Sequence, residues 1–290
     1  MRRILPFVRF LACLSLLPAG AWAAPVPIVA AENFYGDVAR QIGGDDVSVI
    51  SILQSPDQDP HLFEASPSVA REIAAARLVV QSGIGYDGWM EKLLQAGHDA
   101  GPQVLTVAPL AGRQDGDNPH IWYDPQTMLA YAAVLTERLA SADPEHAAGF
   151  RERLARFQAS MHPVLAKIDA LRASYAGTPV AATEPVFGYL IDAAGLLNRH
   201  AAFQLAVMND TEPSASDVAE FERSLQTHAV KLLVYNSQAT DPLADRMQRL
   251  AERAGVPVLP VTETEPEGVA YQDWLLGILD RLQQALSKSK

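Results

Sequence analysis

The sequence predicts an α/β protein of two lobes with mainly parallel sheets, bridged by one long rigid helix. Three observations carry that expectation. Short β-branched runs alternate with helix-like stretches, the pattern of βα units and parallel sheets. The strand-like runs fall into two sets separated by a gap, and a single apolar stripe at helical spacing fills the gap.

In chain order, strands are predicted at 27–31, 47–53, 78–81 and 104–107, and after the gap at 179–183, 202–207, 230–235 and 256–261. Helices are predicted at 34–42, 67–76, 127–141, 216–225, 242–254 and 271–287. Ser214 or Ser216 is placed to cap the 216–225 helix, because a serine hydroxyl accepts from the orphan N–H groups of the first turn. Within 144–175 the apolar residues are Phe150, Leu154, Phe157, Met161, Val164, Ile168 and Leu171, with steps that alternate between four and three. That spacing sets one narrow stripe on one helix face, about 45 Å long at 1.5 Å per residue. Pro163 lacks an N–H and is expected to kink the helix. A coiled-coil oligomer would use the same stripe, but a strut between two lobes also accounts for the flanking strand sets. The expected division is a leader at 1–23, an N-terminal lobe at 24–142, the linking helix at 143–175 and a C-terminal lobe at 176–290.

The leader has three parts: Arg2 and Arg3, an apolar run from Ile4 to Leu17, and Ala21-Trp22-Ala23. Small residues three and one before the break fit signal-peptidase cleavage between Ala23 and Ala24, and so export to the periplasm. The run is too short for a permanent span, which needs about 20 residues. Phe10 stands where a lipid-attachment motif around Cys13 calls for leucine. Over the full chain 34 acidic residues oppose 23 basic ones, a net charge of −11. Removing Arg2, Arg3 and Arg9 leaves 20 basic residues and a charge of −14. Such a chain is a poor nucleic-acid binder, since phosphate binding needs a basic face. Cys13, the single cysteine, leaves with the leader, so any metal must be held by nitrogen and oxygen.

The sequence contains no G-x-S-x-G elbow, H-E-x-x-H helix, P-loop or G-x-G-x-x-G. The expectation is a binding protein and not an enzyme. Of seven histidines, His61 and His120 each follow a proline in a loop that leaves a predicted strand. The fixed φ of proline stiffens the approach and delivers an imidazole with less entropy to lose. Either histidine alone also fits a packing or capping role. His98, His146, His162, His200 and His228 follow no proline and are read as surface or packing residues.

Asp59-Pro60-His61-Leu62-Phe63-Glu64-Ala65-Ser66-Pro67-Ser68 resembles the first metal motif of the periplasmic metal-binding proteins of zinc and manganese ABC importers, and Asn118-Pro119-His120-Ile121-Trp122-Tyr123-Asp124-Pro125 resembles their second. The likeness continues through Asn33-Phe34, Gly43-Gly44-Asp45, Gly83-Ile84-Gly85, Phe187-Gly188-Tyr189-Leu190 and Glu212-Pro213-Ser214, in order along the mature chain. The resemblance implies a metal in the cleft between two α/β lobes, held by His61, His120, Glu184 and Glu263, with Glu265 as the fallback for the last. It also implies delivery to an inner-membrane permease with its cytoplasmic ATPase; a monomer is expected. Zinc-type members usually carry histidine at the position of Glu184, and manganese-type members resemble this chain there. Both glutamates follow predicted strands, and open parallel sheets place ligand sites at those carboxyl ends.

The transported ligand is expected to be a divalent transition metal, Mn²⁺ or Zn²⁺. Carboxylates suit Mn²⁺ and are compatible with Zn²⁺, while intrinsic affinity favours zinc. If both glutamates chelated through two oxygens the site would approach six-coordination, which Mn²⁺ accepts and Zn²⁺ tolerates poorly. That gives a slight lean to manganese. Other readings are a metal-binding surface adhesin, which would need an anchor, and a secreted metallohydrolase, which would need an open coordination position.

Overall fold

The computed structural model describes residues 24–56, 63–97, 101–209, 211–239 and 241–288. The leader and the Asp57–Leu62 stretch that carries His61 lie outside the described residues, as does His98.

The N-terminal half runs β1 (Val26–Glu32), α1 (Asn33–Gly43), β2 (Val47–Leu53), α2 (Pro67–Ala75), β3 (Leu78–Gln81), α3 (Gly88–Ala96), β4 (Gln103–Thr106) and α4 (Pro125–Ala142). Two helices follow, α5 (Ala147–Ser160) and α6 (His162–Tyr175). The C-terminal half runs β5 (Pro179–Ala182), α7 (Gly188–Ala193), β6 (Leu197–Arg199), α8 (Ala201–Met208), α9 (Ala215–Gln226), β7 (Leu233–Asn236), α10 (Pro242–Ala254), β8 (Val258–Val261) and α11 (Tyr271–Lys288). Each half holds a four-stranded sheet, in the orders β2-β1-β3-β4 and β6-β5-β7-β8. All strand pairs in both sheets are parallel.

Alternation along the strands explains the layers, since successive side chains point to opposite faces. On β1, Val29 and Ala31 meet Ile73 of α2 and Met90 of α3 on the outer face. Val26, Ile28 and Ala30 point inward. On the second sheet, Ala181 and Leu233 pack outward on Phe203, Phe221 and Met247. Val180, Ala182, Val234, Leu259 and Val261 point inward. Both inner faces belong to one continuous core that also takes in α1, α4, α5, α6 and α11. The lobes therefore share a helical middle layer. Phe34 and Trp122 stack there at 4.6 Å, a contact of about 1 kcal/mol beyond burial.

The 144–175 stripe faces this layer, with Phe150, Phe157, Met161, Val164, Ile168 and Leu171 buried and Leu154 half-buried. Its apolar surface is thus covered from within the chain, as the strut requires and the coiled coil does not. The helix is broken at Met161 into α5 and α6, two residues before Pro163. Met161 stays in helical backbone (φ −80°, ψ −15°), so the break is local. Arg153 on α5 donates to Ile42 O of α1 (2.6 Å) and to Asp46 (2.7 Å), placing a cation where the last carbonyls of α1 are exposed.

One strand expectation is overturned. Residues 202–207 form part of helix α8, and the strand beside β5 is β6, three residues long and earlier in the chain. A short apolar run does not distinguish a strand from a buried helical turn. Here Ala, Gln and Leu favour helix, and Phe203, Gln204 and Val207 are the buried face. Ser214 caps α9, its Oγ accepting from Asp217 N at 3.1 Å. Among the described residues no helix is long and apolar enough to cross a membrane.

Candidate metal site

Proline and capping chemistry deliver His120. The chain leaves β4, turns through 108–119, and passes Pro119 into a short 3-10 turn at Ile121–Tyr123. Asp124 then caps α4, its Oδ1 accepting from Gln126 N at 3.0 Å. His120 is completely buried. Its Nδ1 lies 2.7 Å from Asn118 Oδ1. An amide oxygen only accepts, so Nδ1 carries a proton, and in the corresponding neutral tautomer the lone pair is on Nε2. Nε2 has no hydrogen-bond partner, and it faces Glu263 Oε2 at 3.6 Å. That is too long for a hydrogen bond. Two electron-rich atoms facing each other in a buried space are what a cation between them would relieve.

The carboxylates come from strand ends. Glu184 lies two residues beyond β5, in extended backbone, and Glu263 two residues beyond β8. They are 5% and 1% exposed. Asn236, the last residue of β7, donates from Nδ2 to Glu184 Oε2 (2.8 Å) and to Glu263 Oε1 (2.7 Å). Tyr86 donates its hydroxyl to Glu263 Oε2 at 2.9 Å. Burial, with the negative charges of Glu263 and Glu32 nearby, pushes the Tyr86 phenol well up, so it remains a donor. The rings of Tyr86 and Trp122, 4.7 Å apart, give the imidazole an apolar wall.

The Gly83-Ile84-Gly85 turn places Tyr86. All three residues have positive φ, and a Cβ on Gly83 would meet Thr106 Cγ2 at 2.6 Å. Asp87 closes the turn by accepting from the backbone of Ser82 (2.5 Å) and Gly83 (2.9 Å). Burial raises its pKa to about 6 against these hydrogen bonds. Glu32, at the end of β1, is fully buried with both carboxyl oxygens unpartnered. Its pKa is pushed well up by burial and then by the charge of Asp87.

Bonds across the cleft hold the two lobes in register. Asn118 Nδ2 donates to Pro185 O (2.7 Å), next to Glu184, and Tyr189 donates back to Asn118 O (2.7 Å). Tyr123 donates to Thr262 O (2.6 Å) and Tyr271 to Trp122 O (2.6 Å). Asn33 donates to Gln54 O (3.0 Å) and to Glu265 O (2.6 Å), and accepts from Glu265 N (3.0 Å).

Of the expected ligand set, the fold brings His120 and Glu263 face to face and joins Glu184 to Glu263 through Asn236. The fallback residue Glu265 is turned away, beside Asp37. Burial, then Asp37, raises its carboxyl to about 9, against the opposing pull of Arg40. Among the described residues no three of His, Cys, Asp and Glu stand close enough together to hold a metal by themselves. The sequence reading missed Asn236, Tyr86, and the tie from Asn118 to the C-terminal lobe. The strand-end rule that supported both glutamates, polar residues at the carboxyl ends of parallel strands, also covers Asn236.

Two parallel-sheet lobes on a common helical layer, with imidazole and carboxylates gathered at strand ends between them, define a two-lobed cleft-type binding protein. The model of the zinc-uptake complex component A (periplasmic) family, ZnuA, matches residues 28–285, and the chain belongs to that family. Among curated relatives, the manganese ABC transporter substrate-binding lipoprotein PsaA of Streptococcus mitis is 22% identical, covering 98% of this chain and 96% of its own. Among solved structures, the periplasmic zinc binding protein TroA from Treponema pallidum superposes with a TM-score of 0.74 at 17% identity, over 90% of this chain and 98% of that one. The Mn-bound periplasmic metal binding protein from candidatus liberibacter asiaticus gives 0.73 at 16% identity, over 89% and 98%. At these identities the structural likeness establishes the fold.

Proposed function

We propose that this chain captures a divalent transition metal, Mn²⁺ or Zn²⁺, between its lobes with His61, His120, Glu184 and Glu263, and passes it to the membrane permease of an ABC importer. It works outside the cytoplasm as the importer's substrate-binding protein, a role matching the family and the relatives named for manganese and zinc. The periplasm as its compartment, cleavage before Ala24 and a monomeric state belong to the same reading, as do the segment limits 1–23, 24–142, 143–175 and 176–290.

The observation that carries it is the buried Nε2 of His120, without a hydrogen-bond partner and 3.6 Å from Glu263 Oε2. With two neutral imidazoles and two carboxylates, an M²⁺ ion gives a centre of zero net charge, which a buried site favours. The binding chemistry is ligand exchange, with no covalent step in the protein. Because the helical layer and the cross-cleft bonds join the lobes, release follows from shifts of the ligand loops and not from wide hinge opening.

Titration of metal-stripped protein with Mn²⁺ and Zn²⁺ tests the reading. One ion per chain is expected in the wild type, with affinity lost in H61A, H120A, E184A and E263A. Unchanged affinity in H61A and H120A would sink it.

A further inference from the structure

Asn236 is 2% exposed and stands between the two glutamates. Chemistry dictates the orientation of its side-chain amide. Oδ1 accepts from the backbone N–H of Gln238 (3.1 Å), while Nδ2 donates to Glu184 Oε2 and Glu263 Oε1. The flipped amide would set its carbonyl oxygen against two carboxylate oxygens and its NH₂ against an N–H. Gln238 braces the arrangement from behind. Its Oε1 accepts from the backbone of Glu263 and of Thr264 (3.0 Å), and its Nε2 donates to Thr264 Oγ1 (3.0 Å). The end of β7 and the loop after β8 are thereby fastened together.

One NH₂ group thus holds one oxygen from each of two carboxylates. On Glu263 the other oxygen, Oε2, accepts from the Tyr86 hydroxyl (2.9 Å) and is the one turned toward His120, where its remaining lone pair can face a cation. For either carboxylate to chelate an ion through both oxygens, the oxygen held by the amide would have to swing toward the ion and weaken that bond. Four ligand atoms from four residues suit Zn²⁺, which is tetrahedral in such sites. Mn²⁺ is at home among six oxygen-rich ligands and gains from chelating carboxylates.

We propose that Asn236 is a positioning residue that sets metal preference: by holding Glu184 Oε2 and Glu263 Oε1, it limits each carboxylate to one metal-binding oxygen and shifts the site toward Zn²⁺ over Mn²⁺. This rests on the metal-site reading above and adds to it. It also reverses the slight lean to manganese, because carboxylate count alone does not say how many oxygens each carboxylate presents.

The test combines competitive titration of Zn²⁺ against Mn²⁺ with X-ray absorption of the Zn²⁺ form and electron paramagnetic resonance of the Mn²⁺ form. It uses wild type, N236A and the similarly sized N236L. The wild type is expected to bind Zn²⁺ through four nitrogen and oxygen atoms. In the variants the Zn²⁺ coordination number rises and the preference for zinc over manganese falls about 10-fold, the low end of the effect of losing a residue that supports a ligand. Unchanged preference and unchanged spectra in folded variants would overturn the proposal. So would a wild-type Zn²⁺ spectrum with chelating carboxylates, which decides the matter even if neither variant folds. If the wild type binds no more tightly than H120A, the metal-site reading falls, and this inference with it.

Discussion

The two sheets have the same strand order, with the first strand of each lobe second from one edge, yet they equip the cleft differently. In the N-terminal lobe the proposed ligand among the described residues rides on a long loop: His120 comes fourteen residues after β4 ends at Thr106. In the C-terminal lobe the polar groups of the candidate site sit on or beside the strands, with Glu184 and Glu263 two residues past β5 and β8 and Asn236 ending β7. The topological counterpart of Glu184 is Glu32, at the end of β1. Both are buried carboxyls, but Glu184 has the Asn236 amide as a donor, whereas neither oxygen of Glu32 has any partner. A strand end makes a carboxyl available to the cleft; a hydrogen-bond donor there favours its charged form.

The largest expected effect separates these two carboxyls. E184Q should lower metal affinity by about 100-fold, at or beyond the upper end of what losing an outer-layer support costs. E32Q, at a carboxyl that burial pushes toward its neutral form, should leave the affinity unchanged. Isothermal titration of both variants checks the pair, and a loss in E32Q would make Glu32 part of the site.

Next in size is Asn118, which orients His120 from one lobe while bonded to the other. N118A should weaken metal binding about 10- to 100-fold. In nitrogen NMR of the metal-free protein, the His120 Nδ1–H tautomer should become mixed. Full affinity with an unchanged tautomer would show that the Asn118 contact is packing only.

The smallest effect concerns stability. The Glu265 carboxyl is raised from an ordinary 4.5 to about 9 in the folded chain. The folded state therefore keeps a proton that the unfolded chain gives up, so this group's contribution is full below its unfolded value and is lost as pH climbs toward 9. Between about pH 5 and about pH 8, chelator-treated wild type should lose stability in urea, and E265Q should lose less. Parallel declines would contradict the buried, protonated state of Glu265.

Much of the fold was legible because the relevant signals are local. Alternating runs located β1, β2, β3 and β4, and the stripe through Phe150 and Leu171 located the α5–α6 strut. Where the signal was ambiguous the reading failed. The run from Ala202 to Val207 carries no period that excludes a strand, and three-residue β6 is too short to announce itself. Met161 marks the break in the strut, as Pro163 led one to expect, although the helical backbone at Met161 keeps the break local. Within the candidate site, His120, Glu184 and Glu263 stood out by motif and strand-end position. Asn236 and Tyr86 did not, because an amide and a phenol gain meaning only from the groups they face.

The sequence by itself determined two parallel-sheet lobes and a helical strut, since periodicity and proline act within a few residues of chain. Only the tertiary structure decided that Glu263 and not Glu265 faces His120, that the Glu32 carboxyl is buried without a hydrogen-bond partner, and that one asparagine holds two carboxylates. These depend on distances between residues far apart in the chain, from the 27 positions between Asn236 and Glu263 to the 177 between Tyr86 and Glu263. Burial then turns such proximity into charge state, because a buried carboxyl stays ionised only where a donor or a cation meets it.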